Sequence, residues 1–248
     1  MLLGGLGNGR RYYMYRYVTD KQFLKSAYSF CADLVNQLVQ ELKHYDIESC
    51  MEVVGSGRHG FITQNENGPI DFDFNLWIID EGVCSDGRNL KNQIMTAFNY
   101  VLYKNGYKKY HCDDSTSAIS VGRFQFKKGN QTEFSIDVAI VKEDDKGNWH
   151  RLIHQKTGIV QLDRWIWNKG PDSAEIFAKE RFLKNAHWNE VRRAYLGKKN
   201  AYINISTKPS FICYIEAIND VYNQYHKTVS QNTEGFYSIL GQGDFYNG

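Results

Sequence analysis

The segment Asp71-Phe72-Asp73-Phe74-Asn75-Leu76-Trp77-Ile78-Ile79 constrains this chain more than any other. Its side chains alternate with period two, as in a strand that buries one face. Phe72, Phe74, Leu76 and Ile78 fall on that face, and Asp71, Asp73, Asn75 and Trp77 share the opposite one. Two carboxylates about 6–7 Å apart on one strand repel by several kcal/mol at intermediate dielectric. A divalent cation between them removes the repulsion. Mg²⁺ or Mn²⁺ suits the pair, because each takes oxygen ligands and completes its shell with water and phosphate oxygens.

A third acid stands in a second alternating segment, Phe134-Ser135-Ile136-Asp137-Val138-Ala139-Ile140. Phe134, Ile136, Val138 and Ile140 form its apolar face and Asp137 points the other way. With the two strands side by side, three carboxylates converge, enough for two metal ions roughly 3.5–4 Å apart. One ion of such a pair activates an attacking hydroxyl; the other holds a triphosphate and stabilises the leaving pyrophosphate. Asp137 is then placed as a ligand or as the proton acceptor for the nucleophile.

Upstream of the acids runs Val53-Val54-Gly55-Ser56-Gly57-Arg58-His59-Gly60, a strand end followed by a Gly-rich turn. Small residues at Gly55 and Ser56 let backbone N–H groups approach phosphate oxygens, and the Ser56 hydroxyl adds a donor. Arg58 offers a charge-assisted fork to the same phosphates. Taken singly, Asp-x-Asp and Gly-Ser are common on solvated strands and turns. Their order, followed by a lone acid on a later strand, is what points to catalysis.

The remaining chain supplies the frame. Thr19 to Gln22 matches a capping box, and Phe23, Leu24, Ala27, Phe30, Cys31, Leu34, Val35, Leu38, Val39 and Leu42 follow at helical spacing. Strands are expected at 50–54, 71–79, 118–126, 133–141 and 149–154. A second helix from about 88 carries Leu90, Ile94, Ala97, Phe98, Val101 and Leu102 and stops at Asn105-Gly106. From about 156 the pattern turns helical, through 188–199 and a last helix from 209 to 225. The tail from Ser230 has no period. Two domains follow: a sheet domain over 1–155 and a helical domain over 156–248 that completes the cleft.

Gly5-Leu6-Gly7-Asn8-Gly9 has no strand before it and is not a dinucleotide fingerprint. His111, His150, His154 and His187 lack metal-ligand spacing and are expected to be structural or superficial. The five cysteines form no C-x-x-C pair, so reduced thiols in a cytoplasmic protein are expected. No apolar run reaches the roughly 20 residues of a membrane span, so no membrane partner is expected. The net charge of +2 does not point to a nucleic-acid partner, although Lys108-Lys109 and Lys127-Lys128 leave a local polynucleotide track open.

Val54-Gly55-Ser56, Asp71-Phe72-Asp73 and Asp137 together resemble the signature of the DNA polymerase beta-like nucleotidyltransferase superfamily. The long helix before the Gly-Ser turn and the helical C-terminal part are similar to the branch of oligoadenylate synthetases and bacterial cyclic-oligonucleotide synthases. The resemblance implies an α+β fold: a nucleotidyltransferase-like mixed β-sheet flanked by helices, with a C-terminal helical lobe. It implies an enzyme using two Mg²⁺ or Mn²⁺ ions to transfer NMP from an NTP, in the first instance ATP, to a hydroxyl with release of pyrophosphate. An oligonucleotide or cyclic nucleotide messenger is among the products it suggests. From Trp188-Asn189-Glu190-Val191-Arg192-Arg193-Ala194-Tyr195-Leu196-Gly197-Lys198-Lys199 and Pro209-Ser210-Phe211, it assigns Lys199 and Ser210 to the triphosphate, with Lys198 as a substitute. Where that branch carries a Gly-Thr shortly after Gly-Ser, this chain has Gly60-Phe61-Ile62-Thr63, so the phosphate loop differs in shape. The motifs leave the acceptor open among a second nucleotide, a small molecule, a protein and an RNA end, and leave open a catalytically silent nucleotide-binding domain.

Overall fold

The alternation at the acid segment builds the central strand of a mixed sheet. In the computed structural model, residues 14–84, 86–171, 174–205 and 210–240 are described, with the backbone alone for 227–240. The Gly-rich stretch at 5–9 lies outside them. In chain order the elements are β1 (Tyr15–Tyr17), α1 (Lys21–Leu42), β2 (Glu48–Val53), α2 (Gly55–His59), β3 (Thr63–Asn65) and β4 (Ile70–Asp80). There follow α3 (Gly87–Lys104), β5 (Asp113–Asp114), β6 (Ile119–Phe124), β7 (Phe134–Glu143), β8 (Trp149–Gln155) and β9 (Arg164–Lys169). Three helices close the chain: α4 (Ala174–Lys184), α5 (Trp188–Ala201) and α6 (Ser210–Leu240).

The sheet runs β2-β4-β7-β6-β5, with β8 on the distal part of β7 and β9 on β8. Only the central pair, β4 and β7, is parallel; the remaining pairs are antiparallel. The fold is therefore α+β with a mixed sheet. β1 and β3 form a separate two-stranded ribbon.

The apolar stripes of α1 and α3 pack in one core with Phe72, Phe74, Leu76 and Ile78 of β4 and Phe134, Ile136, Val138 and Ile140 of β7. Burying such side chains stabilises by roughly 1.5–3 kcal/mol each, which makes the strand register costly to slip. A one-residue slip of β4 would put Asp71 and Asp73 into that core. Each face is thus fixed by the other.

Four local expectations are corrected. The N-cap of α1 is Asp20, whose carboxylate accepts from Phe23 N at 2.9 Å, in place of a Thr19 capping box. Residues 55–59 form the short helix α2, not an open turn, with Gly60 in the left-handed region closing it. Residues 164–169, expected to be helical, are β9, and the chain divides into compact units at Met1–Pro171 and Asp172–Gly248. Residues 156–171 therefore belong with the sheet, because β9 adds to β8. Finally, α6 continues past 225 to Leu240 through part of the tail read as aperiodic.

The second unit is helical, as expected. Leu183 of α4, Val191 and Tyr195 of α5, and Cys213, Tyr214, Ala217, Ile218 and Val221 of α6 are its buried apolar side chains among the described residues. All five cysteines are free thiols. No helix among the described residues is long and apolar enough to cross a membrane.

Candidate active site

The parallel register of β4 and β7 sets Asp71 beside Ser135 and Asp73 beside Asp137. Register partners in neighbouring strands point to the same side of a sheet, and the strands are about 4.8 Å apart. Asp71, Asp73 and Asp137 therefore share one face, opposite the core. The register thus sets the three acids of the sequence expectation on one face of two neighbouring strands.

Each carboxylate has its own neighbour. Ser135 Oγ donates a short hydrogen bond to Asp71 Oδ1. Asp73 lies under α2, where a Cβ on Gly55 would come within 2.4 Å of Asp73 Oδ2. Gly55 has φ +61, a conformation that glycine tolerates best. Asp137 is held above the ordinary carboxylate range mainly by burial; the neighbouring Ser120 hydroxyl opposes that shift, and the charge of Asp71 adds to it.

Asp71 and Asp137 also line a cavity of about 410 Å³, together with Pro69, Asp113, Ser120, Arg123 and Ser135. This cavity lies toward the β5–β6 edge. Farther along β7, on the same edge as β6, stands Arg151 of β8, the register partner of Val141 and so on the acid face. Burial pulls its guanidinium below the usual range, and the charge of Asp73 opposes the shift. Arg151 Nε is buried without a hydrogen-bond partner, as is Oδ1 of Asn75, which shares the face with the acids and is 9% exposed. Orphaned polar atoms of this kind mark a face shaped to receive a polar ligand.

Among the described residues, no three His, Cys, Asp or Glu side chains are drawn together tightly enough to grip an ion as they stand. The donor set still fits a hard divalent cation: three carboxylates on adjacent strands, two of them repelling, with an orphaned amide oxygen on the same face.

The remaining site expectations fare unevenly. Ser56 is half-buried at the start of α2, next to Gly55. Arg58 Nη1 pairs with Glu52 Oε1 at 2.8 Å, and Glu52 also accepts from Trp77 Nε1 at 3.2 Å, so this guanidinium is tied to the sheet. Lys199 and Ser210 lie in the second unit, Lys199 with its ammonium 5.8 Å from the Tyr195 ring centroid and Ser210 exposed at the first residue of α6. Lys198 is engaged by Asp220 at 2.7 Å and Glu216 at 3.3 Å, and these partners raise its proton affinity.

Sequence reasoning placed Asn75 on the acid face but gave no such place to Arg151, Ser120 or Ser135. An arginine inside the strand Trp149–Gln155 was the one available signal, and its face is defined only once Val141 is known to be its partner.

No protein-family model matches the sequence, and no curated protein matches it. Solved structures do. Escherichia coli MS115-1 CdnC with ATP is 15% identical, over 84% of this chain and 62% of that one, with a TM-score of 0.51. The GTP-bound form of Vibrio cholerae DncV, a cyclic AMP-GMP synthase, is 11% identical, over 83% of this chain and 52% of that one, with a TM-score of 0.50. This chain spans less than two thirds of either. At these identities the likeness is one of fold, and it agrees with the architecture expected from the three motif segments.

Proposed function

We propose that this chain is a nucleotidyltransferase that moves a nucleoside monophosphate from a nucleoside triphosphate to a hydroxyl acceptor, releasing pyrophosphate. The observation that carries this reading is the β4–β7 register, which sets Asp71, Asp73 and Asp137 on one open face of the sheet. The fold likeness to a structure with ATP and to a cyclic AMP-GMP synthase supports it. ATP is the first donor to try, and a second nucleotide the first acceptor, with a linear or cyclic oligonucleotide as product.

Asp71, Asp73 and Asp137 would hold the divalent ions, Mg²⁺ or Mn²⁺. Bound there, these ions supply Lewis-acid polarisation of the phosphates and lower the proton affinity of the attacking hydroxyl. The acceptor oxygen forms a bond to the α-phosphorus, the bond from that phosphorus to the β-phosphate oxygen breaks, and pyrophosphate leaves. The hydroxyl proton passes to Asp137, a carboxylate on the same face as the other two acids. Gly55 and Ser56 stand next to Asp73, where backbone N–H groups and a hydroxyl can meet the triphosphate. Arg151 supplies a fixed positive charge facing Asp73. From the second unit, Lys199 and Ser210 are assigned to the triphosphate by resemblance.

The test is to incubate pure protein with Mg²⁺ and each labelled nucleoside triphosphate, alone and in pairs, and to follow pyrophosphate and new phosphodiester products. Oligonucleotides without an added acceptor support the reading in full. Pyrophosphate only after addition of a small molecule, protein or RNA changes the acceptor and keeps the chemistry. Silence under all conditions makes the chain a nucleotide-binding domain without turnover.

A further inference from the structure

Behind Asp137 a chain of polar contacts runs back through the β5–β6 edge. Ser120 is the register partner of Asp137, both side chains line the same cavity, and the Ser120 hydroxyl acts on that carboxylate by lowering its proton affinity. An ionised carboxylate only accepts, so in any contact between the two Ser120 is the donor. Ser115 Oγ lies 2.9 Å from Ser120 Oγ, and either hydroxyl can donate in that bond. The turn that carries Ser115 is held from two sides. From α3, Lys91 Nζ donates to the Ser115 carbonyl at 2.6 Å and lies 2.5 Å from Asp114 Oδ1. From β8, His154 Nδ1 lies 2.7 Å from Asp114 Oδ2, while its backbone N–H donates to the Thr116 carbonyl at 2.8 Å. The other ring nitrogen of His154 faces Asp163 Oδ2 at 3.1 Å, and the ring stacks on Trp165 with 3.9 Å between centroids.

Lys91 is 1% exposed and His154 5% exposed, in a core that is otherwise apolar on the α3 side. A buried ammonium and a buried imidazole are a costly way to hold a turn, since apolar side chains of similar size serve stability as well or better. What they add is a single geometry for residues 114–116. That geometry decides where Ser115, and through it Ser120, stands relative to Asp137.

We propose that Lys91, Asp114, His154 and Ser115 are positioning residues that act through Ser120 to fix the Asp137 carboxylate for transfer. The inference rests on the nucleotidyltransferase reading of the acid face. None of these four residues is assigned a contact with substrate. Ser115 is the cleanest probe, because losing its hydroxyl leaves the ionic contacts of Lys91 and Asp114 intact.

The experiment compares Ser115→Ala, Ser120→Ala, Ser120→Thr and the Ser115→Ala/Ser120→Ala double variant with wild type. Two readouts are taken: kcat and KM for the nucleoside triphosphate, and Mn²⁺ affinity by electron paramagnetic resonance without nucleotide. Loss of Ser120 Oγ is expected to lower kcat about tenfold or more at unchanged KM and to weaken Mn²⁺ binding, as removal of a ligand-orienting partner does. Ser120→Thr keeps the hydroxyl and restores both. Ser115→Ala lowers kcat by a smaller factor, and the double variant is no slower than Ser120→Ala, because Ser115 acts only through Ser120. A Ser115→Ala variant equal to wild type, or losses that multiply in the double variant, would overturn the proposal while leaving the acid-face reading standing. Wild-type protein that neither binds Mn²⁺ nor turns over would overturn both.

Discussion

Asp73 and Asp137 are register partners in the one parallel strand pair of the sheet, so their carboxylates leave neighbouring strands on the same face. Neither residue is covered by the core that α1 and α3 close on the other side. Acid pairs in such positions are held apart by repulsion unless a cation joins them, and this relationship generates the expectations that follow.

Asp73→Asn and Asp137→Asn should each reduce nucleotidyl transfer to below about 1% of wild type while leaving the fold intact, because a ligand is lost and no core cavity is opened. Circular dichroism and steady-state pyrophosphate release check the two halves of the statement. Retention of more than a few percent of turnover in either variant contradicts the assignment.

Asp137→Asn should also raise the thermal stability of the ligand-free protein at neutral pH. Burial raises the proton affinity of Asp137 in the folded state. A raised carboxylate contributes stability that is fully present below its unfolded value and is lost as pH rises through the folded value. The amide escapes that loss, so its advantage over wild type should be present at pH 7 and fade as pH falls below the ordinary aspartate value of 3.8, where protonation becomes complete in both states. Melting curves of both proteins across this window measure it; an advantage independent of pH would be the wrong result.

Gly55→Ala should damage both stability and activity. The new methyl would sit 2.4 Å from Asp73 Oδ2, at a backbone φ of +61. The left-handed conformation alone costs roughly 1–2 kcal/mol for a residue with a Cβ, and Asp73 must move as well. Gly57→Ala is the control, since its methyl would meet only Val53 Cγ2 at 3.4 Å. Urea denaturation should separate the two, with Gly57→Ala near wild type.

Lys91→Met should cost about 3 kcal/mol, the lower end of what breaking a buried ion pair costs, because Asp114 keeps some solvent access. Replacing Asp114 by Asn in the same chain should return much of that loss, since the stranded charge is then gone. Denaturant midpoints of the single and double variants decide this; purely additive losses would contradict it.

The frame was legible where periodicity carries the signal. The stripes of α1 and α3 and the alternation of β4 and β7 come from which side chains can share a buried face, and the structure places them there. Features that depend on strand pairing were not legible. Arg151 and Ser120 reach the acid face only through their pairings with Val141 and Asp137. Lys91 interrupts the apolar stripe of α3, and the partner that makes its burial tolerable, Asp114, comes from another element. The sequence Arg164-Trp165-Ile166-Trp167-Asn168-Lys169 pairs with β8 at the sheet's end, half-buried over Trp165–Trp167 and exposed at both ends, so no clean alternation marks it as a strand. The Asp20 cap shows the precision limit at helix ends, where Thr19 and Asp20 are both good capping residues one position apart.

The most direct test of the central claim is a crystal structure of the protein with Mn²⁺ and a non-hydrolysable nucleoside triphosphate, with the metal located by its anomalous scattering. Anomalous peaks bounded by the carboxylates of Asp71, Asp73 and Asp137, with the triphosphate running toward Gly55 and Ser56, are the expected result. Metal and triphosphate bound elsewhere on the chain, with those three side chains left to solvent, would contradict it.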